Sequence, residues 1–467
     1  MTENQRTISK SVTIKGSGLH SGLNVELTIK PAPVNHGYVF KRIDLKEQPL
    51  VRALADNVAT TDRGTSLKEN DVNIGTVEHV LASLYGLGID NALLELKGPE
   101  VPILDGSAKS FVEAILNAGI KEQEAERKYY ELKEKIYSRN KEKGLEIVAY
   151  PDENFSVNVH IDYGSKVLGH QYASLNDISD FKNEISQCRT FVFLHELEPL
   201  LNNNLIKGGD LDNAIVIVDH KATQNEIDRL AELFNRPKVD VKPEGILNNV
   251  ELYFSNEPAR HKLLDLIGDL ALLGIRIKAK ILAVKPGHYI NTEFVKILRK
   301  KIKNELSKPG APVYDQNAPP LFDITGVMQR LPHRPPFLLV DKILSMDKWT
   351  ICGVKNATMN EGFFVGHYPG EPIMPAVLQL EAMAQVGGIL LMSQVPDPDN
   401  YLLYFLKIEN ARFRYKVEPG DTLTIRMTLK EPVRRGLALT YGQGFVGDKL
   451  VVEADFMAQM VKKSENN

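Results

Sequence analysis

A stretch rich in proline and glycine, residues 307–320, is the feature that most constrains how this chain of 467 residues can fold. Its prolines lack an amide hydrogen and its glycine carries no side chain, so the stretch interrupts both helical and strand patterns. A chain of this length also exceeds what one hydrophobic core usually organises. The sequence therefore predicts separate folded units on the two sides of a linker over residues 306–320.

The region before the linker repeats its own layout. Apolar and polar residues alternate over residues 25–29 and again over residues 157–161, as in half-buried strands. Each copy continues with a helix, a glycine break and a further strand. In the first copy these are predicted over residues 79–85, 86–88 and 92–96. In the second copy they are predicted over residues 261–273, at residue 274 and over residues 281–284. A lysine-rich helix is predicted over residues 293–306. The repeat predicts two similar α+β halves, residues 1–125 and 126–305, which meet in the charged segment 122–135.

The region after the linker, residues 321–467, follows another pattern. An amphipathic pattern begins near Asp323, and residues 375–392 form one long, mostly apolar segment that predicts a buried helix. Strand patterns separated by turn residues follow that helix, over residues 404–406, 411–415, 422–428, 438–441 and 451–456. One buried helix followed by such strands predicts an antiparallel sheet wrapped around the helix, so the fold class of the whole chain is α+β.

Charge and composition exclude several classes of function. The formal net charge is −3 and no block of basic residues stands out, so we expect no nucleic-acid partner. No apolar run is long enough to span a bilayer, and the polar N-terminus is unlike a signal peptide. Cys188 and Cys352 fall in different predicted units, so we expect two inert thiols and a cytoplasmic protein.

The first group of polar residues has the composition of a metal site. His261 and Asp265 lie four residues apart and project from the same face of the predicted helix. An imidazole and a carboxylate are ordinary Zn²⁺ ligands, and a catalytic zinc site needs a third ligand and a base. His79 and the adjacent Glu78 offer both. A His-x-x-x-Asp pair is more often a surface or capping interaction, so these residues alone leave both interpretations open.

Several strings in the first 305 residues occur together and in order. They are Ile74–Val80, Gly86–Asn91, Pro102–Ser107, His20–Gly22, Arg189–Phe191, Lys207–Asn213, His261–Gly268 and Lys285–His288. In this combination the region resembles the UDP-3-O-acyl-N-acetylglucosamine deacetylases, the zinc amidases of lipid A biosynthesis. The resemblance implies two similar α+β halves with the site between them, and one Zn²⁺ per chain.

The resemblance also implies roles for individual residues. His79, His261 and Asp265 would be zinc ligands, and Glu78 would be the general base. His288 would be the cation that stabilises the oxyanion and protonates the leaving amine, and Asp269 would orient His288. Thr190 would donate a hydrogen bond to the oxyanion, and Lys262 and Phe191 would contact the nucleotide sugar. The apolar segment 191–201 would line an acyl channel, although plain core packing explains it equally well. The remaining histidines of the region have no role in this prediction: His20, His36, His160, His170, His195 and His220.

A second group of polar residues lies beyond the linker. Glu381 falls within the apolar helix, where burying an unpaired carboxylate is costly, so it needs a partner or a task. His367, in a loop just upstream, is the candidate partner. The first N–H groups of that helix, after Pro375, can polarise a thioester carbonyl while the histidine takes an α-proton. A buried structural His–Glu pair is the alternative that these two residues leave open.

The strings Leu331–Asp341, Gly366–Leu378 and Glu381–Gln385 resemble the 3-hydroxyacyl-[acyl carrier protein] dehydratases over about residues 321–465. The resemblance implies a hot-dog fold and a site shared by two protomers, with His367 from one and Glu381 from the other. It further implies a trimer of dimers. Ala376 stands where this family usually has glycine; it keeps its N–H, although its methyl group narrows the substrate channel. Glutamate at position 381, rather than aspartate, favours the dehydratase over the related dehydratase-isomerase.

Together these features predict a bifunctional enzyme, a zinc deacetylase fused to a dehydratase. Its partners would be a UDP-sugar lipid precursor and acyl carrier protein, and it would be a homo-oligomer through its hot-dog domain. The alternatives are another zinc amidase for the first unit and a thioesterase or a non-catalytic carrier-binding module for the second. A scaffold that only binds acyl groups is a further alternative, which the intact sets of polar residues disfavour.

Overall fold

A computed structural model describes residues 3–202, 207–211, 213–220, 223–233, 240–243, 245–247, 250–306 and 310–463. The chain divides into two compact units, Met1–Ser307 and Lys308–Asn467. Within the described residues no helix is both long and apolar enough to cross a membrane. Cys188 and Cys352 are free and buried, and burial raises the pKa of the Cys188 thiol, as expected of an inert thiol.

The first half of the first unit is mostly strand. Its elements in chain order are β1 (Asn4–Ile8), β2 (Val12–Ser17), β3 (Asn24–Pro31), β4 (Tyr38–Arg42), β5 (Leu50–Arg52), β6 (Val58–Thr60), β7 (Ser66–Glu69), β8 (Val72–Ile74), α1 (Glu78–Gly86), β9 (Ala92–Lys97), α2 (Lys109–Ala118) and β10 (Ile120–Glu126). Strand β10 pairs with β1, so the charged segment that begins there is partly strand.

The second half carries more helix. Its elements are β11 (Tyr129–Glu131), β12 (Ile136–Asn140), β13 (Leu145–Pro151), β14 (Phe155–Asp162), β15 (His170–Leu175), α3 (Phe181–Glu184), β16 (Phe191–Phe193), α4 (Leu194–Asn202), β17 (Ile215–Ile217), α5 (Gln224–Leu233), α6 (Glu257–Leu270), β18 (Arg276–Val284) and α7 (His288–Leu306). Short 3₁₀ turns occupy Ala55–Asn57, Ile178–Asp180 and Ala271–Leu273.

The predicted repeat of the two halves is confirmed by their sheets. One sheet has the order β2-β3-β9-β4-β5 and the other β12-β13-β18-β14-β15, with β11 beside β18. In each sheet the central strand, β9 or β18, runs antiparallel to one neighbour and parallel to the other. The pairing directions therefore match position by position, although the residues differ.

Helices α1 and α6 pack against each other at the centre of the first unit. All nine residues of α1 are buried, as is most of α6, so the polar residues on these helices lie in the interior. Helix α7 begins at His288, five residues before the predicted start at Glu293. That prediction was wrong because Asn291 and Thr292 are polar yet almost fully buried, which hides the amphipathic pattern of the first turn.

The second unit is one sheet around one long helix. Its elements are α8 (Ile324–Arg330), β19 (Lys342–Met346), β20 (Thr350–Asn356), α9 (Ala376–Met392), β21 (Tyr401–Phe413), β22 (Thr422–Leu429), β23 (Leu437–Val446) and β24 (Lys449–Lys462), with 3₁₀ turns at Gly362–Val365 and Pro398–Asn400. The strand order is β19-β20-β22-β23-β24-β21 and every pair is antiparallel. Helix α9 packs on the strands of this sheet, which is the predicted hot-dog arrangement.

Two details of the second unit differ from the sequence prediction. Strands β19 and β20 precede the helix, so the helix does not come before the whole sheet. The two strands predicted over residues 404–406 and 411–415 form the single strand β21, whose pairing with β24 is irregular around Asn410, a residue with a φ of +52°. A bulge of this kind interrupts the alternation of polar and apolar residues, which is why the sequence pattern divided the strand.

Candidate active sites

A buried cluster of polar side chains lies where α1 and α6 meet. His79 is in the first turn of α1, and His261 and Asp265 are on α6. Asp265 Oδ1 lies 3.6 Å from His79 Nε2 and 3.3 Å from His261 Nε2. One ligand atom from each of the three residues lies within 4.8 Å of the others. The packing of two helices that are distant in sequence therefore completes a set of three potential metal ligands.

The chemistry of these three residues fits a zinc ion. Asp265 Oδ1 is buried and has no hydrogen-bond partner, so one carboxylate oxygen is free to coordinate an ion. Burial lowers the pKa of His261 to about 3, which keeps its imidazole neutral as a metal ligand requires. The other ring nitrogen of His261, Nδ1, lies 3.0 Å from the carbonyl oxygen of Cys188, and this contact orients the ring. Two imidazoles and one carboxylate are a common catalytic zinc set.

Glu78 lies next to this cluster as the first residue of α1. Its side chain is buried, and its Oε2 accepts a hydrogen bond of 3.0 Å from the backbone N–H of Thr65. The other oxygen, Oε1, lies close to Gly64, where a side-chain Cβ would come within 3.1 Å of it. A carboxylate held through one oxygen, with the second unencumbered, has the arrangement of a general base.

His288 and Asp269 form a pair on the other side of the cluster. His288 Nδ1 lies 3.4 Å from Asp269 Oδ2, and His288 Nε2 lies 3.8 Å from Asp265 Oδ2. Burial alone would lower the pKa of His288, but the carboxylates around it outweigh burial and raise that pKa to about 9. The imidazole is therefore a cation near neutral pH and carries a proton that it can donate.

These residues open onto one cavity of about 260 Å³. Thr190, Phe191 and Lys262 line it together with the ligand set, so the structure brings the nine predicted residues of the first unit into one region. Lys262 Nζ lies 2.7 Å from Asp265 Oδ2 and 5.8 Å from the centroid of the Phe191 ring. The charge of Lys262 is thus held between the Asp265 carboxylate and an aromatic face.

The apolar segment 191–201 contributes only in part to this cavity. Phe191, Val192, Phe193 and Leu197 line it, but Glu196 also does, and Leu194 packs in a separate apolar cluster. The side chains of Leu200 and Leu201 lie outside the described residues. Some apolar side chains of this segment therefore line the cavity, and others pack in the apolar core.

Two residues near the site have no role in the sequence prediction. His20 lines the cavity, and Thr65 lies between Asp269 and His288. Thr65 follows Arg63, which has a φ of +59°, and Gly64. No periodicity marks such a turn, because its function depends on backbone direction, although a strained backbone often accompanies a functional site.

In the second unit, Glu381 lies on the second turn of α9. Its Oε1 accepts a hydrogen bond of 2.8 Å from Gln385 Nε2 and lies 3.7 Å from His333 Nε2. It faces a cavity of about 640 Å³ with a mixed polar and apolar lining, to which Gly388, Ile389 and Met392 of α9 contribute. An acidic group in such a cavity can act on a polar head while the apolar part of the lining contacts a hydrocarbon tail.

His367 and Glu381 are not in direct contact within the chain. The Nδ1 of His367 lies 2.8 Å from the carbonyl oxygen of Ile373, which fixes the ring. In the part of the second unit that the structure describes, no hydrogen bond or ion pair joins His367 to Glu381, and His367 does not line the cavity that Glu381 faces. Ala376 is the first residue of α9, so its backbone N–H lies at the helix N-terminus. One chain thus carries both groups without pairing them.

Fold and sites together define a two-unit enzyme, with a set of potential metal ligands of hydrolase type in one unit and a hot-dog fold in the other. The family description "LpxC: UDP-3-O-acyl N-acetylglycosamine deacetylase" matches residues 5–241 and 238–300, and the description "FabA-like domain" matches residues 331–455. The chain belongs to the family of bifunctional LpxC/FabZ enzymes, which the relatives below establish.

Proteins named bifunctional enzyme LpxC/FabZ match almost the whole chain. The one from Bacteroides thetaiotaomicron is 51% identical over 98% of this chain and 99% of its own length. The one from Porphyromonas gingivalis is 48% identical over 99% of this chain and its full length. A UDP-3-O-acyl-N-acetylglucosamine deacetylase from Teredinibacter turnerae is 39% identical over 64% of this chain and 90% of its own length.

Proposed function

We propose that the first unit hydrolyses the acetamide of UDP-3-O-(3-hydroxyacyl)-N-acetylglucosamine and that the second dehydrates 3-hydroxyacyl-[acyl carrier protein] to the trans-2-enoyl product. The observation that carries the first proposal is the buried set of His79, His261 and Asp265 with Glu78 and His288 beside it. Relatives named for both activities, aligned over nearly the whole chain, support the pair of reactions.

In the first reaction the residues of the chain divide the proton transfers between them. His79, His261 and Asp265 would hold Zn²⁺, one ion per chain, which would supply Lewis-acid polarisation of the amide carbonyl and lower the pKa of water. Glu78 accepts a proton from the attacking water, and His288 donates one to the amide nitrogen as the C–N bond breaks. Thr190 donates a hydrogen bond to the oxygen that gains charge. Acetate and the free amine leave.

Lys262 and Phe191 suit a role in binding the nucleotide sugar. Both line the cavity, and they offer a cation for phosphate and a ring face for packing. Asp269 acts through His288, because it contacts the imidazole and does not itself line the cavity. It therefore orients the imidazole that acts on substrate.

In the second reaction His367 removes the α-proton and Glu381 protonates the β-hydroxyl, which leaves as water while the double bond forms. The backbone N–H of Ala376 at the start of α9 hydrogen-bonds the thioester carbonyl and stabilises the charge that develops there. The cavity beside Glu381 provides room for the acyl chain along its apolar residues, among them Leu331, Ile389 and Leu403.

We propose that two chains share each dehydratase site. Support comes from the lack of a direct contact between His367 and Glu381 within one chain and from strand β21 at the sheet edge. Strand β21 leaves a row of large apolar side chains exposed: Tyr404, Phe405, Leu406, Ile408 and Phe413. An exposed apolar edge strand favours pairing with another chain. A trimer of dimers, six chains, is the assembly that the family resemblance implies.

For the domains we propose two deacetylase halves, residues 1–125 and 126–305, a linker over residues 306–320, and a dehydratase domain over residues 321–467. The division of the chain into compact units that end at Ser307 and begin at Lys308 supports the position of the linker, of which residues 307–309 lie outside the described residues. We propose the cytoplasm as the location, because both cysteines are free thiols.

Assays of the full chain on both substrates test the proposed function. We expect acetate release from the UDP-sugar, loss of that release after treatment with a zinc chelator and its return with added zinc. We expect formation of the enoyl thioester from the acyl carrier protein substrate, unaffected by the chelator. Absence of acetate release by zinc-loaded protein would refute the first activity, and absence of enoyl product would refute the second.

A further inference from the structure

We propose that Thr65 is a positioning residue of the deacetylase site that decides which nitrogen of His288 keeps its proton and which oxygen of Glu78 stays free. This inference rests on the proposed deacetylase function. Thr65 is fully buried and contacts both halves of the acid–base machinery, through its hydroxyl on one side and its backbone N–H on the other.

The hydroxyl group of Thr65 has only one proton to give. Its Oγ1 lies 2.6 Å from Asp269 Oδ1 and 3.2 Å from His288 Nδ1. An ionised carboxylate can only accept, so the short contact to Asp269 places the hydroxyl proton there. Toward His288 the oxygen can then only accept a hydrogen bond. The N–H of His288 that points to Thr65 is therefore on Nδ1.

Asp269 strengthens this assignment. Its Oδ2 lies 3.4 Å from the same Nδ1 of His288 and accepts a hydrogen bond of 2.9 Å from Asn291 Nδ2. Two acceptors, one from Thr65 and one from Asp269, thus face Nδ1 and stabilise a proton on it in both charge states of the ring. The nitrogen that gives up its proton is accordingly Nε2, on the side of the ring that lies toward Asp265.

The backbone of Thr65 acts on the other side of the site. Its N–H donates to Glu78 Oε2, and the preceding Gly64 has no Cβ to occupy the space near Glu78 Oε1. One oxygen of the base is therefore held while the other stays accessible to water. A single residue at this turn thus sets the geometry of both the base and the acid.

Substitutions of the Thr65 side chain test the role of its hydroxyl in the full-length, zinc-loaded protein. Thr65→Val keeps the shape and removes the hydroxyl, and Thr65→Ala removes it without steric bulk. Thr65→Ser restores it. Thr292→Val is the matched control, since Thr292 is also buried and its hydroxyl donates to the backbone carbonyl of His288 and not to the ring. We measure kcat, KM, zinc content and the thermal midpoint of each.

Without the hydroxyl, Nδ1 of His288 keeps only the 3.4 Å contact with Asp269 Oδ2, so the ring is held less firmly in the orientation that directs Nε2–H into the site. We expect kcat for acetate release to drop about 10- to 100-fold in Thr65→Val and Thr65→Ala, the range found when outer partners of active-site groups are removed. KM should change less than about threefold and zinc should stay bound, because the hydroxyl contacts neither substrate nor ligand atoms. Thr65→Ser and Thr292→Val should retain most of the wild-type kcat.

A kcat of Thr65→Val or Thr65→Ala within about twofold of wild type would overturn the proposal. An equal fall in kcat in Thr65→Ser and Thr65→Val would also overturn the proposal, because altered packing, and not loss of the hydroxyl group, would then explain the effect. Loss of fold or of zinc in both hydroxyl-free variants would make Thr65 a structural residue. Absence of acetate release by the wild-type protein would instead refute the deacetylase function itself.

Discussion

At the scale of single residues, the first site is defined by polar groups that a protein interior does not otherwise favour. Glu78, His79, His261, Asp265 and Asp269 are all at least 96% buried. Removing such groups from water is costly unless they are paired or coordinate an ion. Their mutual contacts compensate only in part, because Asp265 Oδ1 has no hydrogen-bond partner. A bound cation would provide the partner that Asp265 Oδ1 lacks.

Replacement of His261 by alanine should therefore remove the metal. Two ligands, His79 and Asp265, cannot hold zinc as three do. We expect His261→Ala to be purified with little or no zinc, measured by elemental analysis of the full chain. His170→Ala is the matched control, because His170 is exposed on β15 and lies away from the cluster. Undiminished zinc content in His261→Ala would contradict the assignment of the ligands.

Replacement of Glu78 should separate metal binding from catalysis. Glu78→Ala removes the proposed base but none of the three ligands, so zinc content should be unchanged. We expect acetate release to fall about 10²- to 10⁴-fold, the usual contribution of general base catalysis. The dehydration rate of the same preparation serves as an internal measure of correct assembly. A Glu78→Ala enzyme with near-normal acetate release would exclude Glu78 as the base.

At the scale of elements, α6 is the helix on which the first site depends. It carries His261, Lys262, Asp265 and Asp269, and it begins with a buried Glu257. The carboxylate of Glu257 accepts hydrogen bonds from the backbone N–H and the Nε of Arg189, at 3.0 and 2.9 Å. This pair connects the start of α6 to the segment that carries Thr190. It therefore holds two parts of the site together.

Replacement of Arg189 should destabilise the first unit strongly. Arg189→Met leaves the Glu257 carboxylate buried without its main partner, which typically costs about 3–5 kcal/mol of unfolding free energy. Arg52→Met is the matched control, because Arg52 pairs with Glu69 at the surface, where ion pairs contribute little to the free energy of unfolding. The denaturant midpoint for unfolding of the first unit is measured for each variant. Similar shifts in the two variants would contradict the importance of the buried pair.

At the scale of the whole molecule, the two activities differ in what they need from assembly. The deacetylase residues come together within one chain, whereas no hydrogen bond or ion pair joins His367 to Glu381 in the described part of the second unit. Dissociation into single chains should therefore spare acetate release and abolish dehydration. This difference makes the two reactions of one protein report separately on its fold and its oligomeric state.

Mixed oligomers test the shared dehydratase site. His367→Ala and Glu381→Ala should each lack dehydration, but a dimer of one chain of each kind has one site with both residues intact and one with neither. Random co-assembly of equal amounts should restore about a quarter of wild-type activity, since half of the dimers are mixed and half of their sites are complete. No recovery, with mixed dimers confirmed by mass spectrometry, would place both residues in one protomer.

Cutting the chain in the linker tests whether the units fold independently. A protease site introduced between residues 311 and 319, where the structure describes no helix or strand, should allow complete cleavage. We expect both activities to survive and the fragments to separate on gel filtration. Insoluble or inactive fragments after cleavage at this position would show that the two units depend on each other.

Much of this arrangement can be read from sequence patterns because it depends on local periodicity. The alternation over residues 25–29, the apolar run of α9 and the spacing of His261 and Asp265 each predict an element or a helix face without reference to distant residues. The family resemblance adds the residues that act together. The start of α7 and the continuity of β21 could not be predicted, because buried polar residues and a bulge conceal the pattern.

Residue order and side-chain chemistry are therefore enough to predict the fold class, the repeat of the halves and the chemical types of both sites. The unpaired oxygen of Asp265, and the position from which Thr65 contacts Glu78, Asp269 and His288 at once, follow only from the packing of the folded chain. The contacts of Thr65 with Asp269 and His288 each join residues more than two hundred positions apart. Their geometry depends on the packing of α1 against α6 and on a turn with positive φ at Arg63, which no local pattern encodes.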